Sequence, residues 1–428
     1  MKIEEFYKSV QKRDDWSFSH LSRKETAEST HAYHHYPAKF IPQLARSIIE
    51  NYTKEGDYIW DTFCGSGTLN VEAFRKKRHS IGTDINPTAL LITRAKTSPI
   101  EPDVIMTYKT NLLSKIEKYP VGTKDFYVAE GALNGNINEL EKWFSNESLL
   151  MLAHIIWCIR REDSSNQLRD FAHCAFSGIL KRSSYWLASS VKSQIDPNKK
   201  PGNPLKYFKY QLNFMAKIND TFYHENIYNS TEVKVTTHNA KDSPPPDITK
   251  VDCIITSPPY VVSYDYSDIF RLTTYTLFAQ SDYDQFRRRF VGTPLKRNTT
   301  SPTKANENCH AIIDTISNVG IKRTLTEYYN DMSIYYDNIY NNIKTGGYLI
   351  MVVGDTKLRG VEIPNTYLLS TIAQEKKWLL DDTFMREIPV KILPTTRDIS
   401  TGRFSNRING NCADRYDREY ILVFRRPE

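Results

Sequence analysis

No run in the 428-residue chain approaches the roughly 20 consecutive apolar residues that a membrane-spanning helix needs, and no leader-like segment opens it. A soluble, cytoplasmic protein without a membrane partner is therefore expected. Six cysteines (Cys64, Cys158, Cys174, Cys253, Cys309, Cys412) lie far apart with no C-x-x-C spacing, which fits reduced thiols and argues against a structural zinc. The histidines His31, His34 and His35 cluster, but nothing nearby completes a ligand set, so no metal is expected. Internal repeats and long low-complexity segments are also lacking.

What remains is a chain long enough for two or three structural units, with a formal net charge of +7. That modest basic excess is compatible with a polyanionic partner without requiring one. Short apolar runs at Tyr58 to Asp61, Ser80 to Asp84, Val233 to Thr237, Val251 to Thr256, Tyr348 to Val353 and Tyr420 to Phe424 read as strands. Most alternate with helical stretches such as Pro42 to Asn51 and Leu325 to Ile343, a pattern that predicts an α/β fold with a mainly parallel, Rossmann-like sheet covered on both faces. The last strand, set between charged residues, reads as an edge or an antiparallel addition.

Between residues 97 and 230 strand-like runs give way to amphipathic segments, for example Leu149 to Ile159 and Leu168 to Leu180. This predicts three parts: residues 1–96 and 231–428 as two halves of one catalytic domain, and 97–230 as a largely helical insertion. The insertion interleaves Lys181, Arg182, Lys192, Lys199, Lys200, Lys206 and Lys209 with Tyr185, Trp186, Tyr207 and Phe208, a mixture suited to phosphates and bases. A solvated helix face with aromatics turned inward is the plain alternative. A second basic stretch, Ser281 to Arg323, carries Arg287, Arg288, Arg289, Lys296 and Arg297 and reads as a long irregular loop.

Asp61-Thr62-Phe63-Cys64-Gly65-Ser66-Gly67-Thr68 follows the first of these strands and precedes a helical stretch, where two glycines let the backbone turn tightly against a ligand. The next strand ends at Asp84-Ile85, placing a carboxylate for ribose hydroxyls and an apolar side chain for a base. A dinucleotide would want a third glycine where Asn70 stands, because its pyrophosphate sits on a full G-x-G-x-x-G turn. S-adenosylmethionine, with an ammonium in place of phosphates, makes better use of an acidic Asp61.

Thr256-Ser257-Pro258-Pro259-Tyr260 ends the strand Val251 to Thr256. Paired prolines offer carbonyls and no N–H, which suits an incoming –NH₂ group with two donors. Tyr260 adds a ring on which a base stacks once it has left a duplex. No Pro-Cys dipeptide occurs, which argues against attack at cytosine C5 through a cysteine.

Together these motifs resemble the amino-methyltransferases that modify DNA at cytosine N4 or adenine N6. His35-Tyr36-Pro37-Ala38-Lys39-Phe40-Ile41-Pro42 looks like the family's N-terminal motif, Asp61 to Thr68 like its D-x-F-x-G-S-G-T loop, Thr256 to Tyr260 like its T-S-P-P-Y motif, Gly346 to Asp355 like a later strand motif, and Arg418 to Phe424 like the closing strand. The resemblance implies an S-adenosylmethionine-dependent methyltransferase fold. It implies a cofactor site of Lys39, Phe40, Pro42, Asp61, Phe63, Gly65, Ser66, Gly67, Thr68, Asp84 and Ile85, with Asn239 in place of the usual third-strand acid. It implies an acceptor site of Ser257, Pro258, Pro259 and Tyr260, and double-stranded DNA as partner, held by Lys181, Arg182, Lys199, Lys200, Arg287, Arg288, Lys296 and Arg297. Target recognition is expected in residues 97–230, and a companion restriction endonuclease is a further expectation. Ser before Pro-Pro-Tyr leans toward cytosine N4, with adenine N6 as the alternative. An RNA amine methyltransferase or a non-catalytic DNA-binding subunit fits less well, since no RNA-binding module is evident and the site residues are intact.

Overall fold

The computed structural model describes residues 2–22, 24–37, 39, 41–133, 137–261, 266–278, 282–293, 295, 306–358, 361–389, 396–398, 404–405, 412–414 and 417–428. Phe40, Lys296 and Arg297 lie outside the described residues.

Thirteen strands are described: β1 (Gln11–Lys12), β2 (Tyr58–Asp61), β3 (His79–Asp84), β4 (Val233–Thr237), β5 (Val251–Thr256), β6 (Ile343–Val353), β7 (Thr356–Leu358), β8 (Val361–Ile363), β9 (Leu379–Glu387), β10 (Thr396–Asp398), β11 (Phe404–Ser405), β12 (Cys412–Asp414) and β13 (Arg418–Arg425). Eight form one sheet in the order β1-β9-β13-β6-β5-β2-β3-β4, with β6, β5, β2, β3 and β4 mutually parallel and β13 antiparallel to both its neighbours. The chain runs outward from β2 to β4, then returns to place β5 on the other side of β2. In open α/β sheets such a reversal opens a crevice at the carboxyl ends of the two strands, where ligands bind.

Side chains alternate across β5. Ile254 joins Trp60, Met351 and Phe424 under the helices Val319–Tyr340 and Asn365–Glu375. Cys253 and Ile255 join Ile59, Ile350 and Val423 under the helices Pro42–Tyr52 and Thr68–Arg75. Two buried faces explain why these strands read as continuous apolar runs.

Between β3 and β4 the chain forms the crossover helix Pro87–Thr97 and then the helices Pro102–Lys118, Lys124–Ala129, Ile137–Trp143, Asn146–Arg161, Asn166–Ser183 and Pro204–Asn226. Leu112, Ile155, Phe171, Phe208 and Leu212 fill a core among them. Ser145, Ser165 and Asn203 each accept a backbone N–H at a helix start, satisfying donors the helix leaves free. Among the described residues no helix is long and apolar enough to cross a membrane.

Two expectations need correction. Residues 281–323 are not one irregular loop: the described part carries the helices Tyr283–Arg288 and Glu307–Asp314 and the start of Val319–Tyr340, each opened by a side-chain cap from Asp282, Asn306 or Asn318. Closely spaced caps and polar residues masked their short periodicity. The last strand, β13, is the expected antiparallel addition, but it is interior and not an edge, because β9 and then β1 extend the sheet beyond it. Finally, β9 and the helix Asn365–Glu375 gave no expectation, β9 because Asp381, Asp382, Arg386 and Glu387 break up its apolar residues.

Candidate active site

The loop after β2 is fixed by close packing. Gly67 has φ +71°, and a Cβ there would sit 2.6 Å from Thr93 Cγ2; Gly65 has φ +50° and lies under the Tyr36 ring at 3.4 Å. Cys64 N–H donates to the Thr83 carbonyl at 3.0 Å, tying the loop to β3, while Thr93 donates to the Gly65 carbonyl at 3.0 Å and Lys96 to the Ser66 carbonyl at 3.0 Å. Asn70 takes the place of a third glycine, and the space it needs is supplied from the opposite side: a Cβ on Gly82 would meet Asn70 Oδ1 at 2.9 Å. The close approach of helix and strand is therefore kept, with the glycine moved onto β3.

Asp84 lies at the carboxyl end of β3 and stays partly exposed. Its carboxylate accepts Gly65 N–H at 2.9 Å and Asn86 N–H at 2.8 Å. Burial pushes its pKa up to about 6, against those N–H contacts, which pull it down. Ile85 follows it, also partly exposed. Asn239 lies just past β4, where its side-chain oxygen accepts Lys241 N–H at 3.2 Å in a local turn, so one of its lone pairs is already engaged.

Across the crevice, Asp61 ends β2 and Thr256 ends β5. The Thr256 hydroxyl donates to Asp61 Oδ1 at 2.7 Å and accepts Phe63 N–H at 3.1 Å. Phe63 N–H also reaches Asp61 Oδ1 at 3.3 Å, so these bonds fall on one carboxylate oxygen. Burial lifts the Asp61 pKa to about 7. Thr62 bonds Tyr335 at 2.8 Å and the Phe63 ring lies 5.2 Å from that of Tyr335, which fixes the turn on its other side.

Ser257 follows immediately. Its hydroxyl donates to the Val352 carbonyl at 3.0 Å, so its proton is spent on β6 and its lone pairs remain as acceptors. Pro258 is buried and Pro259 half-buried. The Tyr260 ring lies against Gly354, where a Cβ would come within 3.0 Å of Cε2, and its hydroxyl donates to Glu419 at 3.3 Å. Glu419 is held in turn by Arg386 at 2.7 Å, and Arg386 also donates to the Trp16 carbonyl at 3.0 Å. The hydroxyl end of Tyr260 is thus anchored to β9 and β13.

The N-terminal motif bridges the two halves. Tyr36, which covers Gly65, packs at 4.8 Å on Phe270, and His34 bonds Ser177 at 2.9 Å, which bonds Thr273 at 2.7 Å. Burial holds His34 near pKa 4 and therefore neutral. Lys39 donates to the His31 carbonyl at 3.2 Å, and burial lowers its pKa to about 8. Pro42 is buried at the first position of its helix.

Of the basic residues read as DNA contacts, Lys181 donates to the Ser190 carbonyl at 2.7 Å, and Lys199 donates to the Lys181 and Trp186 carbonyls, both at 2.7 Å. They hold their own loop together. Arg182 and Lys200 are exposed, Arg182 lying 5.8 Å from the Tyr207 ring centre. Arg287 pairs with Asp284 at 3.5 Å and lies 5.8 Å from the Tyr283 ring centre; Arg288 is half-buried. Sequence reasoning missed Lys96, for which a lysine in the apolar helix Pro87–Thr97 was the available signal, and gave no site role to Gly354 and Glu419, which lie within the later strand motif and the closing strand.

The crevice contains what S-adenosylmethionine needs. Asp61 and Asp84 bracket the glycine loop, and the buried hydroxyls of Ser66 and Thr68 have no hydrogen-bond partner. A family model described as DNA methylase matches residues 1–94, covering the N-terminal motif, the loop and Asp84. The chain is 26% identical over 419 residues to the type II methyltransferase M.MvaI of Kocuria varians, covering 89% of this chain and 88% of that protein. It is 31% identical over 132 residues to M.MjaII of Methanocaldococcus jannaschii, covering 28% of this chain and 25% of that one.

The chain is similar to proteins described as DNA methylases and type II methyltransferases. Over 94 residues it is also 36% identical to M2.DpnII of Streptococcus pneumoniae, covering 22% of this chain and 33% of that protein.

Proposed function

We propose that the protein methylates the exocyclic N4 amine of a cytosine extruded from double-stranded DNA. The observation that carries this reading is the Ser257 hydroxyl, whose proton is committed to the Val352 carbonyl at 3.0 Å. A base amine brings two hydrogens and a lone pair delocalised into the ring. Ser257 Oγ and the Pro258 carbonyl accept the hydrogens and favour a pyramidal nitrogen, and fixed dipoles with this aim lower the barrier without reorganising. Bound there, S-adenosylmethionine would supply an electrophilic methyl to the amine nitrogen at the expense of its carbon–sulfur bond, and Ser257 Oγ and the Pro258 carbonyl would line the path by which the surplus amine proton leaves to water. A neutral hydroxyl in this position leans toward cytosine within the family the chain resembles.

Tyr260 offers its face to the extruded base, and stacking of this kind recovers about 1–3 kcal/mol of the cost of flipping. Asp84 and Ile85 take the ribose and adenine of the cofactor; Asp61, Phe63, Gly65, Ser66, Gly67 and Thr68 take its methionine end together with Lys39, Phe40 and Pro42, and Asn239 borders the adenine. Arg182, Lys200, Arg287, Arg288, Lys296 and Arg297 supply phosphate contacts. Relatives named as type II methyltransferases support a role in shielding host sites from a companion endonuclease.

The substrate class is tested by transfer of labelled methyl groups from S-adenosylmethionine to mixed-sequence duplex DNA and, in parallel, to RNA. Label in DNA alone is expected. Label in RNA with none in DNA would overturn the reading, and failure of treated DNA to resist any endonuclease would remove the protective role.

A further inference from the structure

We propose that the hairpin 185–196 and its flanks from Arg182 to Lys200 read the target sequence, and that the bonds between Ser193 and Asp268 set their register on the acceptor site. This rests on the DNA methyltransferase reading above and assigns its specificity element. Within the helical insertion this segment forms a short hairpin closed by a single antiparallel bridge: Leu187 N–H donates to the Gln194 carbonyl at 2.8 Å, Asp196 N–H to the Tyr185 carbonyl at 2.8 Å, and Trp186 bridges Ile195. A DNA major groove admits two paired extended segments as it admits a helix.

The root of the hairpin is rigid. Trp186 is buried with its ring 5.2 Å from that of Trp143, and its indole N–H donates to the Ser190 carbonyl at 3.1 Å. Lys181 and Lys199 bond the carbonyls of Ser190 and Trp186, so two cations brace the turn from below. The outer face presents a different chemistry. Arg182, Lys192, Gln194, Asn198 and Lys200 are exposed, while the one acid of this stretch, Asp196, is partly exposed and accepts Asn198 N–H at 3.0 Å. Amides read adenine edges by paired hydrogen bonds and lysines read guanine or phosphate, so a face in which cations and amides outnumber acids matches a nucleic-acid groove.

The hairpin is also tied to the site. Asp268 accepts Ser193 Oγ at 2.6 Å and Ser193 N–H at 3.1 Å, and pairs with Arg271 at 2.7 Å. Asp268 lies in the helix Tyr266–Ile269, shortly after Tyr260; the adjoining Phe270 packs on Tyr36, and Tyr36 covers Gly65. A continuous path of packed groups therefore runs from the reading face to the cofactor loop. A preformed reader in fixed register orders fewer groups on binding and presents the base beside the bound amine to the acceptors. Asp268 acts here as a positioning residue.

The test uses the full chain with Gln194→Ala, Asn198→Ala and Asp268→Ala, a plasmid library of random sites and methylation mapped at single-molecule level. At least one amide variant is expected to lose about 10- to 100-fold in kcat/KM at the preferred site and to flatten the preference at one base position, the range given by one paired base contact. Asp268→Ala is expected to keep the base preference and lose about tenfold in kcat with cofactor affinity unchanged, and Asp268→Asn, which keeps one acceptor, to recover part of that loss. Wild-type methylation with an unchanged site pattern and kcat/KM within about twofold in both amide variants would overturn the reading hairpin. That result would leave methyl transfer itself standing. Full kcat in Asp268→Ala would overturn the register role.

Discussion

Thr256 at the end of β5 donates to Asp61 at the end of β2 over 2.7 Å, closing the crevice where the chain reverses direction across the sheet. The contact joins the first residue of the T-S-P-P-Y motif to the first residue of the glycine loop. Cofactor and acceptor halves are therefore mechanically one unit. Thr256→Val keeps the shape and removes the hydroxyl, leaving a buried carboxylate and Phe63 N–H each short of a partner. A loss of about 1–3 kcal/mol in stability and weaker cofactor binding are expected, read by denaturant melts and calorimetry. Unchanged stability and affinity would show that the two halves are positioned by packing alone.

The same carboxylate sets a pH dependence. Burial raises Asp61 from 3.8 to about 7 and Asp84 from 3.8 to about 6. Because both folded values exceed the unfolded one, the contribution of these groups to stability is fully present below about pH 4 and is lost as pH rises through about 6 to 7. Cofactor binding runs the other way, since a sulfonium and an ammonium favour ionised partners. Affinity for S-adenosylmethionine should rise between pH 6 and pH 8 with proton release on binding, and Asp61→Asn should flatten the slope. A flat wild-type profile would contradict this assignment.

Gly354 is the floor on which the Tyr260 ring lies, and a methyl group there would come within 3.0 Å of that ring. Gly354→Ala should displace the stacking face and lower turnover while leaving cofactor affinity near wild type. Ser257→Ala should have the same signature with a larger loss, about 10²- to 10³-fold, the usual effect of deleting one aimed hydrogen-bonding group. Equal loss of cofactor affinity in either variant would contradict the division between donor and acceptor sides.

Salt dependence separates the basic residues. Lys181 and Lys199 brace carbonyls, and burial lowers both pKa values. Arg182 and Lys200 point outward. Removing either exposed cation should reduce the slope of log affinity against log salt by about one, whereas Lys181→Met and Lys199→Met should lower the melting temperature and leave the slope nearly intact. The reverse pattern would restore the bracing lysines as phosphate contacts.

The chain wrote much of this plainly. β2 and β5, buried on both faces, left short apolar runs, and β3 and β4 showed as β-branched residues between polar ones, so all four were legible to within a residue or two, as were the glycine loop and the acceptor motif, each compact in sequence. What stayed hidden depends on distant partners. The role of Ser257 as an acceptor is visible only once Val352 takes its proton, and the anchor of Tyr260 on Glu419 is held by Arg386 of β9, a strand whose charged residues disguise it. Lys181 and Lys199 look like their exposed neighbours until the carbonyls they hold are seen. Asn70 read as a missing glycine, yet Gly82 on the facing strand restores the space.

The acceptor amine is tested most directly by digesting duplex DNA methylated by the purified protein and identifying the modified nucleoside by mass spectrometry. N4-methylcytosine, lost in Ser257→Ala, is the expected product. N6-methyladenine in its place would contradict the account.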